Sequence, residues 1–187
     1  MLTIDSFVPL LKKNILLKRI GLLSDTHGFI DPKIKKHFAN VDEIWHAGDI
    51  GTLEALDELR AFKPTRAVWG NIDDHIIRRD TEEFLRFQVE GVSVLMTHIA
   101  GRPGKYANPA YAELMKNGAP KLFICGHSHI LQVKRDLSGR NMLFLNPGAA
   151  GQHGFHAEQT ALRFKIDGAR IYDMEVIQMP RIKVKLG

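Results

Sequence analysis

The chain has 187 residues, of which 44% are hydrophobic and 25% charged, and these values are typical of a globular protein with one domain. Its formal net charge of +5 is compatible with an anionic partner, nucleic acid included, and equally with a basic surface that binds nothing. A single cysteine, Cys125, excludes an internal disulfide and indicates a reducing, cytoplasmic location. No apolar stretch reaches the ~20 residues that a membrane-spanning helix needs, so we expect no membrane partner.

The first 18 residues are rich in apolar side chains and include three lysines. They lack an early positive region followed by a small-residue cleavage site, so they do not resemble a secretory signal. We predict that residues 1–18 form an N-terminal extension, either a short amphipathic helix or a disordered leader. Residues 19–187 contain no repeat or linker, and we predict that they form a single domain.

Strand-like and helix-like segments alternate through the first half of the chain. Asp31 and Pro32 are a favourable N-cap and first helical residue for a helix to about residue 39, and Thr52 can cap a helix with leucines near helical spacing. Apolar runs predict buried strands at residues 20–23, 44–47 and 67–69. This β-α-β-α-β order favours parallel strands joined by helical crossovers.

The second half continues with two more apolar strands and then changes to hairpins. Strands are predicted at residues 92–96 and 122–125, separated by a helix that Asn108-Pro109 opens and Gly118 ends. Ser138-Gly139 and Asp167-Gly168 then predict turns between strands, the second a tight two-residue turn.

Five of the predicted strands end in a short cluster that contains a metal-competent side chain. The clusters hold Asp25 with His27, Asp49, Asn71, His98, and His127 with His129. Because ligands bind beyond the carboxyl ends of strands in open α/β sheets, we expect these clusters to converge. If each D-x-H or H-x-H pair is extended, its two side chains point to the same side and can serve one site.

Each of these residues alone has a more ordinary interpretation. A single histidine is more often a surface or hydrogen-bonded residue than a ligand, and we assign His37 to a helix surface and His46 to a hydrogen-bonded structural role. His153 and His156 lie in a Gly-rich loop, where mobility or contact with a substrate is open. Strand-end Asp and Asn residues commonly form turns. Turn chemistry does not explain the whole set, however.

The motif series resembles that of the calcineurin-like metallophosphoesterases, and most closely their small bacterial and archaeal phosphodiesterases. Asp25-x-His27, Gly48-Asp49, Gly70-Asn71, His98 and Gly126-His127-x-His129 occur in the family's order. Asn146-Pro147-Gly148 resembles a late strand-loop of the family, so the likeness covers about residues 19 to 175. The resemblance implies an α/β fold: a four-layer α/β-β/α sandwich of two mixed β-sheets flanked by helices.

The resemblance also implies a dinuclear metal centre. Asp25, His27 and His129 would hold one divalent ion, Asn71, His98 and His127 the other, and Asp49 would bridge them. A shared carboxylate offsets the repulsion between two cations. These oxygen and nitrogen ligands suit Mn²⁺, Fe²⁺, Zn²⁺ or Ni²⁺, and analogy with the family favours Mn²⁺.

We therefore expect a two-metal phosphodiesterase that hydrolyses small phosphodiesters by a metal-bridging hydroxide. Asn71, His98 and His75 are the candidate catalytic residues. Many family members have a histidine directly after Gly-Asn, whereas this chain has Ile72, which leaves the leaving-group acid unassigned and makes His75 a stand-in. Family members often have a glycine and a further histidine after the residue equivalent to His98. In this chain Arg102 and Lys105 lie in the segment that follows. Their side chains could contact substrate anions, but we favour the interpretation that they are solvated loop charges.

Three alternatives remain on the same site or fold. A phosphomonoesterase would differ only in substrate, and a nuclease is compatible with the charge, although no basic aromatic platform for nucleic acid is evident. A non-catalytic scaffold is the third, because one eukaryotic relative serves in protein assembly. That relative has a degraded metal site, whereas every expected ligand is present here. Self-association into a homo-oligomer is left open.

Overall fold

The structure is a computed structural model in which residues 17–138, 140–154 and 156–181 are described. Most of the predicted N-terminal extension therefore lies outside the described residues, and that part stays a prediction. Lys18, which was assigned to the extension, is the first residue of the first strand. The division into an extension and a single domain stays a prediction.

The described residues form twelve strands and four helices. The strands are β1 (Lys18–Leu23), β2 (Glu43–Ala47), β3 (Thr65–Val68), β4 (Phe84–Val89), β5 (Val92–Thr97), β6 (Gly101–Arg102), β7 (Lys105–Tyr106), β8 (Leu122–Ile124), β9 (Leu131–Arg135), β10 (Leu143–Pro147), β11 (Glu158–Asp167) and β12 (Arg170–Pro180). The helices are α1 (Pro32–His37), α2 (Leu53–Phe62), α3 (His75–Asp80) and α4 (Asn108–Asn117). Within the described part of the chain, no helix has the length and hydropathy needed to cross a membrane.

The strands build two five-stranded mixed sheets. The first has the order β12-β11-β1-β2-β3, in which β1, β2 and β3 are parallel, as predicted, and β11 is antiparallel to β1. The second has the order β4-β5-β8-β10-β9, with β5, β8 and β10 parallel and an antiparallel strand at each edge. A separate hairpin consists of β6 and β7.

Three apolar clusters hold the sheets and helices together in four layers. The central cluster lies between the sheets and includes Leu22 and Trp45 from one sheet and Met96 from the other. Because strand side chains alternate between faces, Leu23 points the opposite way, into the cluster that α1 and α2 cover. On the outer face of the second sheet, Phe123 and its neighbours pack against α4. The predicted four-layer sandwich is confirmed.

Four elements were not predicted from the sequence: the short hairpin strands β6 and β7, helix α3 and strand β4. Helix α3 has only six residues, too few for a hydrophobic period, although Asp74 caps it by accepting hydrogen bonds from the N–H groups of Ile76 and Ile77. Strand β4 does carry a signal, because Leu85, Phe87 and Val89 alternate with polar residues. It forms the edge of the second sheet, pairing with β5.

The predicted ends of the elements are partly right. Asp31 and Thr52 accept backbone hydrogen bonds as N-caps, and Gly118 ends α4 with φ +79°. The predicted cap of α4 is wrong, since Asn108 is already helical and Ala107, which has no capping side chain, precedes it.

The predicted turns also differ from the structure in one place. The β11–β12 turn consists of residues 168–169 rather than Asp167-Gly168, because Asp167 still pairs with Arg170. Gly168, with φ +55°, opens that turn. Ser138 lies between β9 and β10, and Gly139 lies outside the described residues.

Cys125 follows β8 and is buried in the cluster that packs against α4, with 2% of its surface exposed. Burial raises the pKa of its thiol to about 12. The thiol is therefore protonated at neutral pH and unreactive as a nucleophile. This agrees with its predicted role as a small buried apolar residue.

Candidate metal centre

The ends of β1 and β2 in one sheet and of β5 and β8 in the other carry residues that meet between the two sheets. Six of the seven predicted ligands lie there in two groups, Asp25 with His27 and His129, and Asp49 with His98 and His127. Within each group, one donor atom from every residue lies within 4.8 Å of the others. The expected convergence of strand ends is thus observed for these six residues.

The first group surrounds a buried carboxylate. Asp25 is fully buried, and its Oδ1 lies 3.0 Å from Nε2 of His129. Nε2 of His27 lies 3.5 Å from the same His129 nitrogen. The other carboxylate oxygen, Oδ2, accepts a hydrogen bond from the His127 N–H, but no described residue donates one to Oδ1. A buried, unpaired carboxylate oxygen is unfavourable without a cation, so these residues fit a metal ion.

The second group is joined to the first through His98. Its Nε2 lies 3.2 Å from Oδ1 of Asp49 and 3.9 Å from Oδ1 of Asp25. Its Nδ1 lies 2.7 Å from the Ala47 carbonyl oxygen. Because a carbonyl oxygen only accepts, Nδ1 carries the hydrogen in the neutral ring and Nε2 keeps a lone pair directed at the carboxylates. This is the tautomer that a metal-binding imidazole requires.

Asn71, the seventh predicted ligand, lies at the edge of the second group. It is exposed and lines a cleft together with His98. Two contacts hold its loop in place: the next residue, Ile72, donates its N–H to Oδ1 of Asp49, and Arg78 Nη2 donates to the Asn71 carbonyl oxygen. Gly70 precedes it because a Cβ there would overlap the Asp49 carboxylate and backbone nitrogen.

Burial and the carboxylates have opposing effects on the histidine pKa values. Burial lowers the pKa of His27 and His127 and, together with neighbouring histidines, outweighs the raising effect of the Asp49 and Asp25 carboxylates. For His98, burial acts in the same direction, but the Asp49 and Asp25 carboxylates outweigh it and raise the pKa. Burial tends to raise the pKa of Asp49, yet contact with His98 outweighs this and lowers it. Two carboxylates among four imidazoles thus form a site suited to a cation.

The backbone at the site is not extended as predicted. Asp25, His27, Asp49, His127 and His129 all have φ between +50° and +68°. The left-handed region is unfavourable for residues with a Cβ, by about 1–3 kcal/mol each. The expectation that alternation along a strand pairs the ligands is therefore wrong. His127 and His129 in fact belong to different groups.

Hydrogen bonds between loops stabilise these unfavourable conformations. The N–H groups of Asp25, His27 and Gly28 donate to the carbonyls of Gly48, Asp49 and Ile50, at 2.9, 3.1 and 2.7 Å. The pairing of β1 with β2 thereby continues beyond the sheet and carries Asp25, His27 and Asp49 with it.

His46 supports the same two loops from the buried side. Its Nδ1 accepts a hydrogen bond from the Gly48 N–H, and its Nε2 lies 2.9 Å from Thr26 Oγ1, which donates to the Ile50 carbonyl. Both ring nitrogens are satisfied in the neutral form, and burial lowers the pKa of His46 to about 3. The predicted hydrogen-bonded structural role of His46 is observed.

Asp73 was not recognised from the sequence but joins the two loops that follow β2 and β3. It is 3% exposed, and its carboxylate accepts hydrogen bonds from the N–H groups of Ile50, Gly51 and Gly70, at 3.1, 2.7 and 2.7 Å. An aspartate after a strand is usually a local turn former, so the sequence offers little to distinguish it. Its position two residues after Asn71 is the only local signal.

The remaining predicted residues lie outside the two groups. His75 is exposed at the start of α3, and no described hydrogen bond or ring contact joins it to the six clustered residues. The His153 ring packs edge-on against that of His27, with 5.7 Å between centroids, and His156 lines a cavity with His129. Arg102 and Lys105 are exposed on the β6–β7 hairpin.

Two facing mixed sheets with an Asp and His centre at their strand ends define a metallophosphoesterase-type protein. The chain belongs to the calcineurin-like phosphoesterase superfamily, whose domain matches residues 19–169. A curated relative, a probable metallophosphoesterase from Methanothermobacter thermautotrophicus, is 32% identical over 165 residues, which is 85% of this chain and 91% of the relative.

Two solved structures show the same fold. A predicted phosphoesterase from Streptococcus pneumoniae is 22% identical, with a TM-score of 0.62, and the match covers 88% of this chain and 99% of that one. Vacuolar Protein Sorting 29 from Cryptosporidium parvum is 16% identical, with a TM-score of 0.68, covering 87% and 97%. Family and donor sets together are compatible with a divalent metal centre.

Replacing Asp73 by alanine should destabilise the protein by about 3 kcal/mol or more, because three largely buried N–H groups lose their acceptor. Denaturant unfolding of the metal-free protein measures this change. The Asp80→Ala variant, which removes an exposed carboxylate paired with Arg60, is the control and should change stability by less than about 1 kcal/mol. Equal effects of the two variants would contradict the role of Asp73.

Proposed function

We propose that this protein is a phosphodiesterase that uses two divalent metal ions to hydrolyse small phosphodiesters. The observation that carries the proposal is the contact between the two groups, in which Nε2 of His98 lies within 4 Å of carboxylate oxygens from both Asp25 and Asp49. Divalent ions held there would lower the pKa of a shared water toward about 7 and neutralise phosphoryl charge. Manganese is our preferred metal by analogy with the family, ahead of iron, zinc and nickel.

Each residue has a proposed part in this site. Asp25, His27 and His129 would hold one ion, and Asn71, His98 and His127 the other. Asp49 would bridge them, because its carboxylate lies against His98, which also approaches Asp25. Asn71 is exposed beside His98, where its amide could also orient a phosphoryl oxygen. The Ala47 carbonyl accepts a hydrogen bond from Nδ1 of His98, which would leave Nε2 of His98 free to bind the metal ion.

The leaving-group acid stays unassigned, and His75 as a stand-in stays a hypothesis. His75 is exposed on α3 and shares no described contact with the cluster, so nothing in the geometry supports it as a proton donor. A leaving group that needs little protonation, such as an aryl oxide, relieves this requirement. We therefore propose diesters with good leaving groups as the most reactive substrates.

The single buried cysteine supports a cytoplasmic location.

The proposed activity requires metal and diester together. Metal-free protein should not hydrolyse bis(p-nitrophenyl) phosphate, and addition of Mn²⁺ should start turnover, measured as p-nitrophenolate release. The value of kcat/KM should be higher for this diester than for p-nitrophenyl phosphate. A preference for the monoester would replace our proposal by a phosphomonoesterase, and a steep salt dependence of DNA or RNA binding would favour a nuclease.

A scaffold without catalysis is the second candidate, because one structural neighbour is named for vacuolar protein sorting. At 16% identity that neighbour shares the fold and gives no information about activity. The complete donor set argues for chemistry. Absence of turnover with any of Mn²⁺, Fe²⁺, Zn²⁺ or Ni²⁺ would favour the scaffold.

Replacing Asp49 by asparagine should abolish binding of the second metal ion and lower kcat/KM by about 100-fold or more. Loss of a hydrogen-bonding partner behind a metal ligand already weakens metal affinity or activity by roughly 10–100-fold, and Asp49 is proposed to touch both ions. Metal content by mass spectrometry and diesterase assays measure the two effects.

The control for this variant is Asp57→Asn on α2, whose side chain is 61% exposed. It should bind two ions per chain and keep its activity. Full activity in Asp49→Asn would refute the bridging role.

A further inference from the structure

A small cleft opens beside the second group of metal-competent residues. Its volume is about 170 Å³, and Asn71 and His98 form part of its lining. A cavity of roughly 150 Å³ is large enough for a benzene-sized molecule. The cleft therefore borders the candidate metal centre at His98 and matches one aromatic ring in size.

Part of the cleft wall is apolar. It includes Trp69, Ile99 and Pro109, beside the polar Thr97 and Glu83, and Ile99 is 40% exposed although it directly follows His98. An exposed isoleucine elsewhere on a surface needs no explanation, but apolar side chains that line a pocket beside polar, reactive groups are typical of ligand sites. This wall would bind the apolar part of a molecule whose polar part lies at the metal centre.

Arg78 adds a flat, charged surface to the same cleft. Its guanidinium lies over the Trp69 ring, 4.4 Å from the centroid. Its Nε donates to the Asp73 carbonyl at 2.7 Å, and its Nη2 to the Asn71 carbonyl at 3.2 Å. These bonds hold the guanidinium plane in place. A planar guanidinium stacks well on aromatic rings, so Arg78 favours a flat group over a saturated one.

We propose that this cleft binds a planar aromatic group of the substrate, either an aryl ester or a nucleobase, while the phosphoryl group lies at the metal centre. The inference rests on the proposed function and names its substrate class: diesters with an aromatic group rather than simple alkyl diesters. Size, the apolar wall and the stacked Arg78 all point to the same kind of group. Ile99 and Arg78 are then specificity residues, separate from the metal-binding set.

Calorimetric titration of the Mn²⁺-loaded protein with three phosphonates tests the proposal without requiring turnover. Phenylphosphonate should bind roughly tenfold or more tightly than methylphosphonate, since burial of a ring of that size contributes at least this much. It should also bind more tightly than cyclohexylphosphonate, which is apolar but not flat. Equal affinities for the three ligands, or a preference for cyclohexylphosphonate, would overturn the proposal.

A second pair of ligands distinguishes the two sources of the ring. If the ring is a nucleobase, adenosine 5′-monophosphate should bind more tightly than ribose 5-phosphate. If it is an aryl ester, the phenylphosphonate preference should hold while the two nucleotide-derived ligands bind alike. Failure of the protein to bind Mn²⁺ would instead refute the proposed function, and with it this inference.

Variants at Ile99 assign the preference to this cleft. Ile99→Trp should fill the cleft and remove the preference for phenylphosphonate over methylphosphonate. Ile99→Ala should weaken phenylphosphonate binding by roughly threefold to tenfold through lost apolar contact. The control is Val176→Ala on β12, an exposed aliphatic residue outside the cleft, which should keep the wild-type preference. A preference that persists in Ile99→Trp would contradict the assignment.

Discussion

Two carboxylates, Asp25 and Asp49, lie almost completely buried among four imidazole rings, and the surrounding structure depends on how their charge is balanced. Removing an ionised carboxylate from water is strongly unfavourable unless a cation or several hydrogen bonds compensate. Asp25 Oδ1 has no hydrogen-bond donor among the described residues, and the Nε2 atoms of His129 and His98 lie 3.0 and 3.9 Å from it. A divalent ion would satisfy carboxylate and imidazole together, so the donor set is compatible with a divalent metal centre.

Holding these side chains together has a conformational cost that the rest of the fold offsets. Five of the six clustered residues have left-handed backbone conformations, each unfavourable for a residue with a Cβ. The continued β1–β2 pairing, the buried His46 and the Asp73 carboxylate supply hydrogen bonds that fix the loops despite this cost. The two sheets and their apolar cores support these loops, so the fold itself fixes the positions of the donors.

Much of this arrangement could be predicted, for identifiable reasons. Apolar runs ending in Asp, Asn or His located the strands and all six clustered donors, and the strand-end rule predicted that these clusters converge. Within one sheet that rule accounts for the donors that follow β1 and β2. His98, His127 and His129 follow strands of the second sheet, and the facing arrangement of two sheets that brings them in was implied only by the family resemblance. Left-handed conformations at Asp25 or His129, and the contacts of Asp73 with Ile50 and Gly70, arise from tertiary structure and have no signal in local sequence.

Crystals soaked in Mn²⁺ and measured by anomalous diffraction test the central claim most directly. Two anomalous peaks are expected, one among Asp25, His27 and His129 and the other among Asp49, His98 and His127, with Asp49 coordinating both ions. A single peak, or peaks away from these two groups, would contradict a dinuclear centre at this edge of the sheets.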